Sequence, residues 1–316
     1  MQALFPITLL LGASGMKPMC LHCYALVDPV PGESDLCGVG DLLAPIFLFW
    51  RCSMETLKLL TEFYSNYDEE GRLLSKHGSV EYLTTMRYIE KYLHPGMRIL
   101  EIGAATGRYS HNLARKGYHV DAVELVQHNI DIFCMLTQPE ESISIRQGDA
   151  RNLAFLADES YDMVLLLGPM YHLFTEVDQR KALSEALRVT KKGGILMAAY
   201  CGNEATLIQY CFGRGMLKEE KYRKLVDPVT FKASSDPAEL FELYRREDID
   251  ALMENFCTTR LHYVGTDMAT NYMRSTIDEM DEELFAMYLR YHFAICERQD
   301  CVGTSHHILD IHRKDK

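Results

Sequence analysis

The sequence predicts an α/β fold: a seven-stranded, mostly parallel sheet with helices on both faces and helical insertions after the fifth strand. Three observations predict it. Short apolar strands alternate with helical stripes between residues 98 and 200, the order that builds a parallel sheet. The stretch Tyr161–Leu167 ends in a run of apolar residues without alternation, as a strand covered on both faces requires. A glycine-bearing turn, Gly103 to Gly107, joins an apolar strand to the helix behind it.

The elements follow in order. Residues 1–53 do not share the periodicity of the rest: two apolar patches, Leu4–Leu11 and Leu42–Trp50, flank a stretch rich in Gly, Pro and Cys. They read as an N-terminal extension, disordered or an over-long reading of the gene, and the domain proper as 54–316. Met54 opens a helical pattern with Leu57, Leu60 and Phe63, and Tyr64–Leu74 follows with Glu70 and Arg72. Leu83, Met86, Ile89 and Leu93 mark one face of a helix over Glu81–Leu93. Strands are predicted at Ile99–Glu101, Tyr118–Glu124, Ser142–Gln147, Tyr161–Leu167 and Lys191–Tyr200, with a helix at Val177–Val189 before the last of them. Residues 54–200 thus form one half. In the second half, 201–316, helices are expected at Glu204–Phe212, Leu217–Leu225, Ile249–Phe256 and Asp278–Cys296, and strands at Leu261–Val264 and Ser305–His312. The last strand is expected antiparallel to the rest, as the resemblance given below implies. Segments 201–236 and 265–300 are too long for simple connections and are expected to form a lid.

Composition narrows the function. The chain has 316 residues and a formal net charge of −12, which lacks the basic footprint that a phosphate backbone demands. A small-molecule partner is favoured over nucleic acid. No apolar run approaches the ~18 residues of a membrane span. Ten cysteines without a regular framework read as reduced, cytoplasmic usage. The lone pair Cys20 and Cys23 has no second pair nearby, so no metal site is expected.

The glycine turn carries the chemistry. Gly103 permits close backbone approach, and the helix behind it opens with unpaired N–H groups. A dinucleotide fingerprint would need glycine at 103, 105 and 108; the chain has Gly103, Ala105 and Arg108. Glu101, just before the turn, would repel a phosphate and attract an ammonium group. Glu124 ends the second strand seventeen residues past Gly107, near the ~20-residue offset at which an acid meets ribose hydroxyls. Asp149 follows the third strand, placed to accept from an adenine amino group. Three acids at the carboxyl ends of successive strands lie where open α/β sheets bind ligands.

Over residues 60 to 200 these motifs resemble those of the class I S-adenosylmethionine-dependent methyltransferases: Glu101-Ile-Gly103-Ala-Ala-Thr-Gly107, then Glu124, then Asp149, then Leu165-Leu-Leu-Gly-Pro-Met-Tyr-His-Leu-Phe174. The last block is similar to that of a bacterial small-molecule-type subgroup. The middle glycine of the family turn is Ala105 here. The resemblance implies a Rossmann-like sheet and S-adenosylmethionine as cofactor. It further implies Glu101 at the methionine amino group, Glu124 at the ribose and Asp149 at the adenine. The lining would be completed by Gly103, Ala104, Ala105, Gly107, Leu125, Ala150 and Leu167.

Methyl transfer asks a protein to exclude water, align a nucleophile and take a proton where one is lost. Tyr171 and His172 leave the fourth strand beside the expected methyl group. Tyr171 can bond the nucleophile or shield a cation with its ring. His172 is suited to proton removal, and its rival role is to cap or brace the next helix. His306 and His307 start the last strand, facing pocket or solvent. A nicotinamide-dependent oxidoreductase is the first rival, opposed by the glycine spacing and Glu101. A non-catalytic S-adenosylmethionine-binding protein is the second. The methylated atom and the oligomeric state are not encoded in readable form.

Overall fold

The computed structural model describes residues 56–67, 69–235 and 237–316. The expectations for residues 1–53, for Met54 and for Cys20 and Cys23 lie outside them. Helices α1 (residues 56–66), α2 (Glu69–Arg72) and α3 (Lys76–Tyr92) precede the sheet. The alternating half follows as β1 (Arg98–Ile102), α4 (Arg108–Arg115), β2 (His119–Glu124), α5 (Gln127–Leu136), β3 (Ile143–Gln147), β4 (Tyr161–Leu166), α6 (Glu176–Val189) and β5 (Thr190–Gly202). Then come α7 (Asn203–Thr206), α8 (Glu220–Arg223), β6 (Leu243–Tyr244), α9 (Arg246–Met253), β7 (Thr258–Gly265), α10 (Arg274–Asp278), α11 (Glu282–Ile295), α12 (Gln299–Val302) and β8 (His307–Lys314).

The strand order is β3-β2-β1-β4-β5-β8-β7, with β6 added beside β5. Strands β1 to β5 are parallel, and β8 runs antiparallel between β5 and β7. The seven expected strands are joined by one more, the two-residue β6, too short to leave a pattern.

The strand periodicity explains the layers. Leu100, Ile102, Val164 and Leu166 point to one face, where Ala182, Leu183 and Ala186 of α6 and Ile249 of α9 cover them. Ile99, Met163, Leu165 and Met197 point to the other, under Met86 and Ile89 of α3 and Leu113 of α4. Both faces of the central strands are therefore dry, as the continuous apolar run of β4 anticipates.

The expected helix Glu204–Phe212 is α7 continued by a π-helical stretch, Leu207–Phe212, and only Glu220–Arg223 of Leu217–Leu225 is α-helical; two other helices differ from expectation for local reasons. Helix α3 begins at Lys76 because Ser75 caps it, accepting from the Gly78 N–H at 3.1 Å. The expected helix Asp278–Cys296 is two: Asp281 accepts from Leu284 N at 2.8 Å and starts α11 afresh. The segments expected as a lid are helical insertions, and α10 is tied to α3 by His77, whose Nδ1 and main-chain N–H both reach Asp278, at 2.7 and 3.0 Å.

Candidate active site

The carboxyl ends of β1, β2, β4 and β5 share one edge of the sheet. Glu101 is buried there and accepts the Ser110 hydroxyl of α4. Burial pushes its carboxyl up to about 8, against the pull of the Ser110 hydrogen bonds. A cationic group arriving beside it would favour the ionised form.

The turn after β1 is closed on itself. The N–H groups of Gly103 and Ala104 both donate to Val123 O, at 2.8 and 3.2 Å, and Gly107 N–H donates to Ala104 O at 2.8 Å. Ala105 N–H donates to Glu124 at 2.9 Å. These four donors are spent inside the protein, so the turn is no phosphate cradle. Gly103 has φ +76°, and a Cβ there would stand 2.5 Å from Cδ of Pro169. Gly107 has φ +91°, and its Cβ would stand 2.4 Å from the Phe133 ring. Both glycines therefore serve the approach of neighbouring chain. Ala105 takes φ +48°, a left-handed conformation that costs a non-glycine residue about 1–2 kcal/mol.

Glu124 is buried at the end of β2. Besides Ala105 it accepts from Val126 N–H at 2.8 Å and from Asn129 at 3.4 Å. Burial raises its carboxyl, and the main-chain donors oppose the rise. Leu125 follows, its carbonyl accepting from Gln147 at 3.0 Å. Asp149 meets a fork that the sequence reading missed: Arg151 donates Nε to Oδ1 at 3.0 Å and Nη2 to Oδ2 at 2.6 Å. Burial alone would raise Asp149, but the Arg151 hydrogen bonds and charge hold it below the ordinary aspartate value. Ala104 and Ala150 are buried against the core, and Leu167 packs on the α3 side of it.

The short helical turn Pro169–His172 follows β4. His172 has both ring nitrogens engaged. Nδ1–H donates to Leu240 O at 2.7 Å, which leaves Nε2 to accept the Tyr64 hydroxyl at 2.9 Å. Burial pulls its pKa down to about 4, with the Leu240 carbonyl opposing. His172 is thus a neutral clasp joining the turn, α1 and the strand-leading segment at Leu240. Tyr171 is the more central of the pair. Burial holds its phenol well above the ordinary value, and its ring lies 5.9 Å from that of His307.

A further cluster stands on the same edge. Arg72 donates to Glu81 of α3 at 2.7 Å. His307 Nδ1 lies 2.7 Å from Asp267 and 3.3 Å from Glu81. Of these groups the sequence reading singled out only Arg72 and His307. Glu81 and Asp267 gave no local signal, since each becomes interesting only through partners far away in the chain.

The cofactor expected from the motifs fits these residues. A buried carboxyl group, Glu101, stands where an ammonium group would favour its ionised form, a second acid, Glu124, ends β2 beside the turn, and the turn offers no anion site.

Comparison with known proteins agrees. A family of methyltransferase domains matches residues 100–198. A demethylmenaquinone methyltransferase of Clavibacter sepedonicus is 30% identical over 195 residues, covering 61% of this chain and 74% of that protein. A glycine/sarcosine N-methyltransferase of Aphanothece halophytica is 32% identical over 106 residues, and the chain spans only 40% of its length. Among solved structures, an S-adenosylmethionine-dependent methyltransferase of Thermotoga maritima superposes with a TM-score of 0.50 at 21% identity, covering 81% of this chain and 99% of that one. At that identity the likeness is one of fold.

Proposed function

This chain belongs to the class I S-adenosylmethionine-dependent methyltransferases, and on that premise we propose how its residues divide the work. It is an enzyme that methylates a small molecule, with S-adenosylmethionine as methyl donor. When bound, the donor supplies a methyl group on a sulfonium that leaves as a neutral thioether. Glu101 takes the methionine ammonium, Glu124 the ribose hydroxyls and Asp149, kept ionised by Arg151, the adenine edge. Gly103, Ala104, Ala105, Gly107, Leu125, Ala150 and Leu167 line the cofactor. Tyr171 shields the reacting centre with its ring, and His172 positions Tyr64 and the turn. The domain is taken as residues 54–316.

One observation carries the reading of the cofactor: the N–H groups of the turn are satisfied internally while a buried carboxyl stands beside it. That combination suits an ammonium-bearing ligand and opposes a pyrophosphate. The net charge of −12 supports a small acceptor over nucleic acid. Among the described residues no helix is long and apolar enough to cross a membrane, and the cysteine usage supports a cytoplasmic setting.

The test is calorimetry with S-adenosylmethionine and with NAD, followed by transfer of a labelled methyl group to a panel of catechols, hydroquinones and sarcosine. Tight binding of S-adenosylmethionine, none of NAD, and label in one acceptor class are expected. Tighter binding of NAD would sink the reading. Cofactor binding without transfer to any small molecule would favour the non-catalytic alternative.

A further inference from the structure

His307 opens β8 opposite Cys201, near the carboxyl end of β5. That places it on the edge where Glu101, Glu124 and the Pro169–His172 turn converge. Its ring is fixed by a built network. Asp267 Oδ1 accepts from Ser305 Oγ at 2.7 Å and from the main-chain N–H groups of His306 and His307, at 2.9 and 3.2 Å. Asp267 Oδ2 accepts from Asn271 and from His307 Nδ1. Glu81 faces the same nitrogen. With two carboxylates on Nδ1, that nitrogen carries the proton, and Nε2 carries the lone pair. Among the described residues no group bonds Nε2, and the Tyr171 and His307 ring centroids lie 5.9 Å apart.

The cluster also has the spacing of a metal site, since Glu81, Asp267 and His307 offer ligand atoms within 4.8 Å of one another. Its carboxylates are already committed, however. Asp267 serves five donors, and the Arg72 cation sits on Glu81. A dication would have to displace both sets of partners.

We infer that the Asp267–His307 pair is the general base of this enzyme, and that its acceptor is one that sheds a proton on transfer, as a hydroxyl does. The inference rests on the methyltransferase reading above. A neutral hydroxyl is a weak nucleophile and an ammonium has no free lone pair, so each must shed a proton, whereas an already ionised or proton-free nucleophile needs no such group; the step is written here for the hydroxyl. In the step, the hydroxyl proton passes to Nε2 and the acceptor oxygen bonds the methyl carbon. The electron pair of the broken carbon–sulfur bond stays on sulfur. The imidazolium is held between Asp267 and Glu81 until its proton reaches solvent. Burial opposes that charge, but the two carboxylates outweigh it and raise His307 above the ordinary histidine value. His172 is a poor candidate beside it, because its Nε2 lone pair is spent on Tyr64.

The test compares catechol with 4-nitrocatechol, whose hydroxyl ionises without help, in the full chain and in H307Q. Turnover of catechol is expected to fall by roughly 10²-fold or more, turnover of 4-nitrocatechol to change little, and cofactor affinity by calorimetry to hold. Equal losses on both acceptors, or none on either, would overturn the assignment. Should H307Q not fold, the wild-type profile decides: catechol turnover follows a group titrating above the usual histidine value, and a flat profile overturns the inference. The groups facing that titration are Asp267, Glu81, Arg72, His306 and Tyr171. Nitrogen-15 spectra of the histidine side chains give a readout free of turnover, since an Nε2–H tautomer at His307 would also sink the pair. Wild-type protein that binds S-adenosylmethionine but methylates no catechol or hydroquinone overturns the hydroxyl acceptor alone. Protein that does not bind S-adenosylmethionine overturns the reading beneath it.

Discussion

Glu124 accepts the main-chain N–H of Ala105 at 2.9 Å, so the acid at the end of β2 braces the left-handed alanine of the glycine turn. The same carboxylate is proposed for the ribose, which gives its removal two effects. Glu124→Ala should weaken S-adenosylmethionine binding at least tenfold by calorimetry. It should also lower stability by about 1–3 kcal/mol, because the N–H groups of Ala105 and Val126 lose their acceptor in a buried place. An unchanged melting temperature together with unchanged affinity would reduce Glu124 to a bystander.

Glu101, raised to about 8 by burial, is mostly protonated at pH 7. An ammonium group placed against it would lower that pKa. Binding of S-adenosylmethionine at pH 7 should therefore release up to about one proton. The released proton should make the binding heat depend on the ionisation enthalpy of the buffer, and affinity should climb as pH rises toward 8. Glu101→Gln should abolish both effects. Buffer-independent heats in the wild-type protein would place the ammonium elsewhere.

Three histidines, the partly buried His172 and the buried His292 and His306, are each lowered to about 4, chiefly by desolvation. In the unfolded chain they titrate near the ordinary ~6.5, so between those values the unfolded state binds more protons. Stability is whole above ~6.5 and is lost as pH falls toward 4, each histidine contributing up to about 1.4 kcal/mol per pH unit. His307 acts with the opposite sign, its stabilisation fading as pH rises through its own raised value. Urea melts from pH 4 to 7 should show the slope, and His172→Gln should flatten it. A wild-type stability that is constant across that range would contradict the burial of these rings.

Gly103→Ala should be costly and Gly117→Ala mild. Both positions have positive φ, +76° and +88°, but only the first has chain in the way: its Cβ would meet Pro169 at 2.5 Å, while nothing lies within 4 Å of the second. Gly117→Ala should cost about 1–2 kcal/mol, the left-handed penalty alone. Gly103→Ala should exceed it clearly in thermal melts and should shift the loop carrying Tyr171. Similar losses would show that Pro169 yields.

The core of the fold was legible because its signals are local. Alternating strands and stripes, a glycine turn and an acid at each strand end are all written within a few residues of one another. Even Asp281, which divides the expected long helix, stands before Glu282 and Glu283 in a recognisable helix start. What escaped depends on distant partners. Nothing around Asp149 distinguishes an acid awaiting a ligand from one gripped by Arg151, and Glu81 looks like any exposed-face residue until β8 brings His307 against it. At His172 the sequence allows base or brace, and only its two occupied nitrogens separate the roles.

Strand β8 lies between β5 and β7 although it is made after both. On a ribosome, β7 therefore emerges before β8, the strand it pairs with among the described residues. The five parallel strands can assemble early, but they wait with the edge of β5 bare, and that edge runs through Ile195, Leu196 and Met197, residues buried in the finished sheet. Unpaired apolar edges of this kind recruit other chains. The vulnerable period in the life of this protein is thus its synthesis, and a pause in translation between β7 and β8 should cost more soluble product than one of equal length before β5.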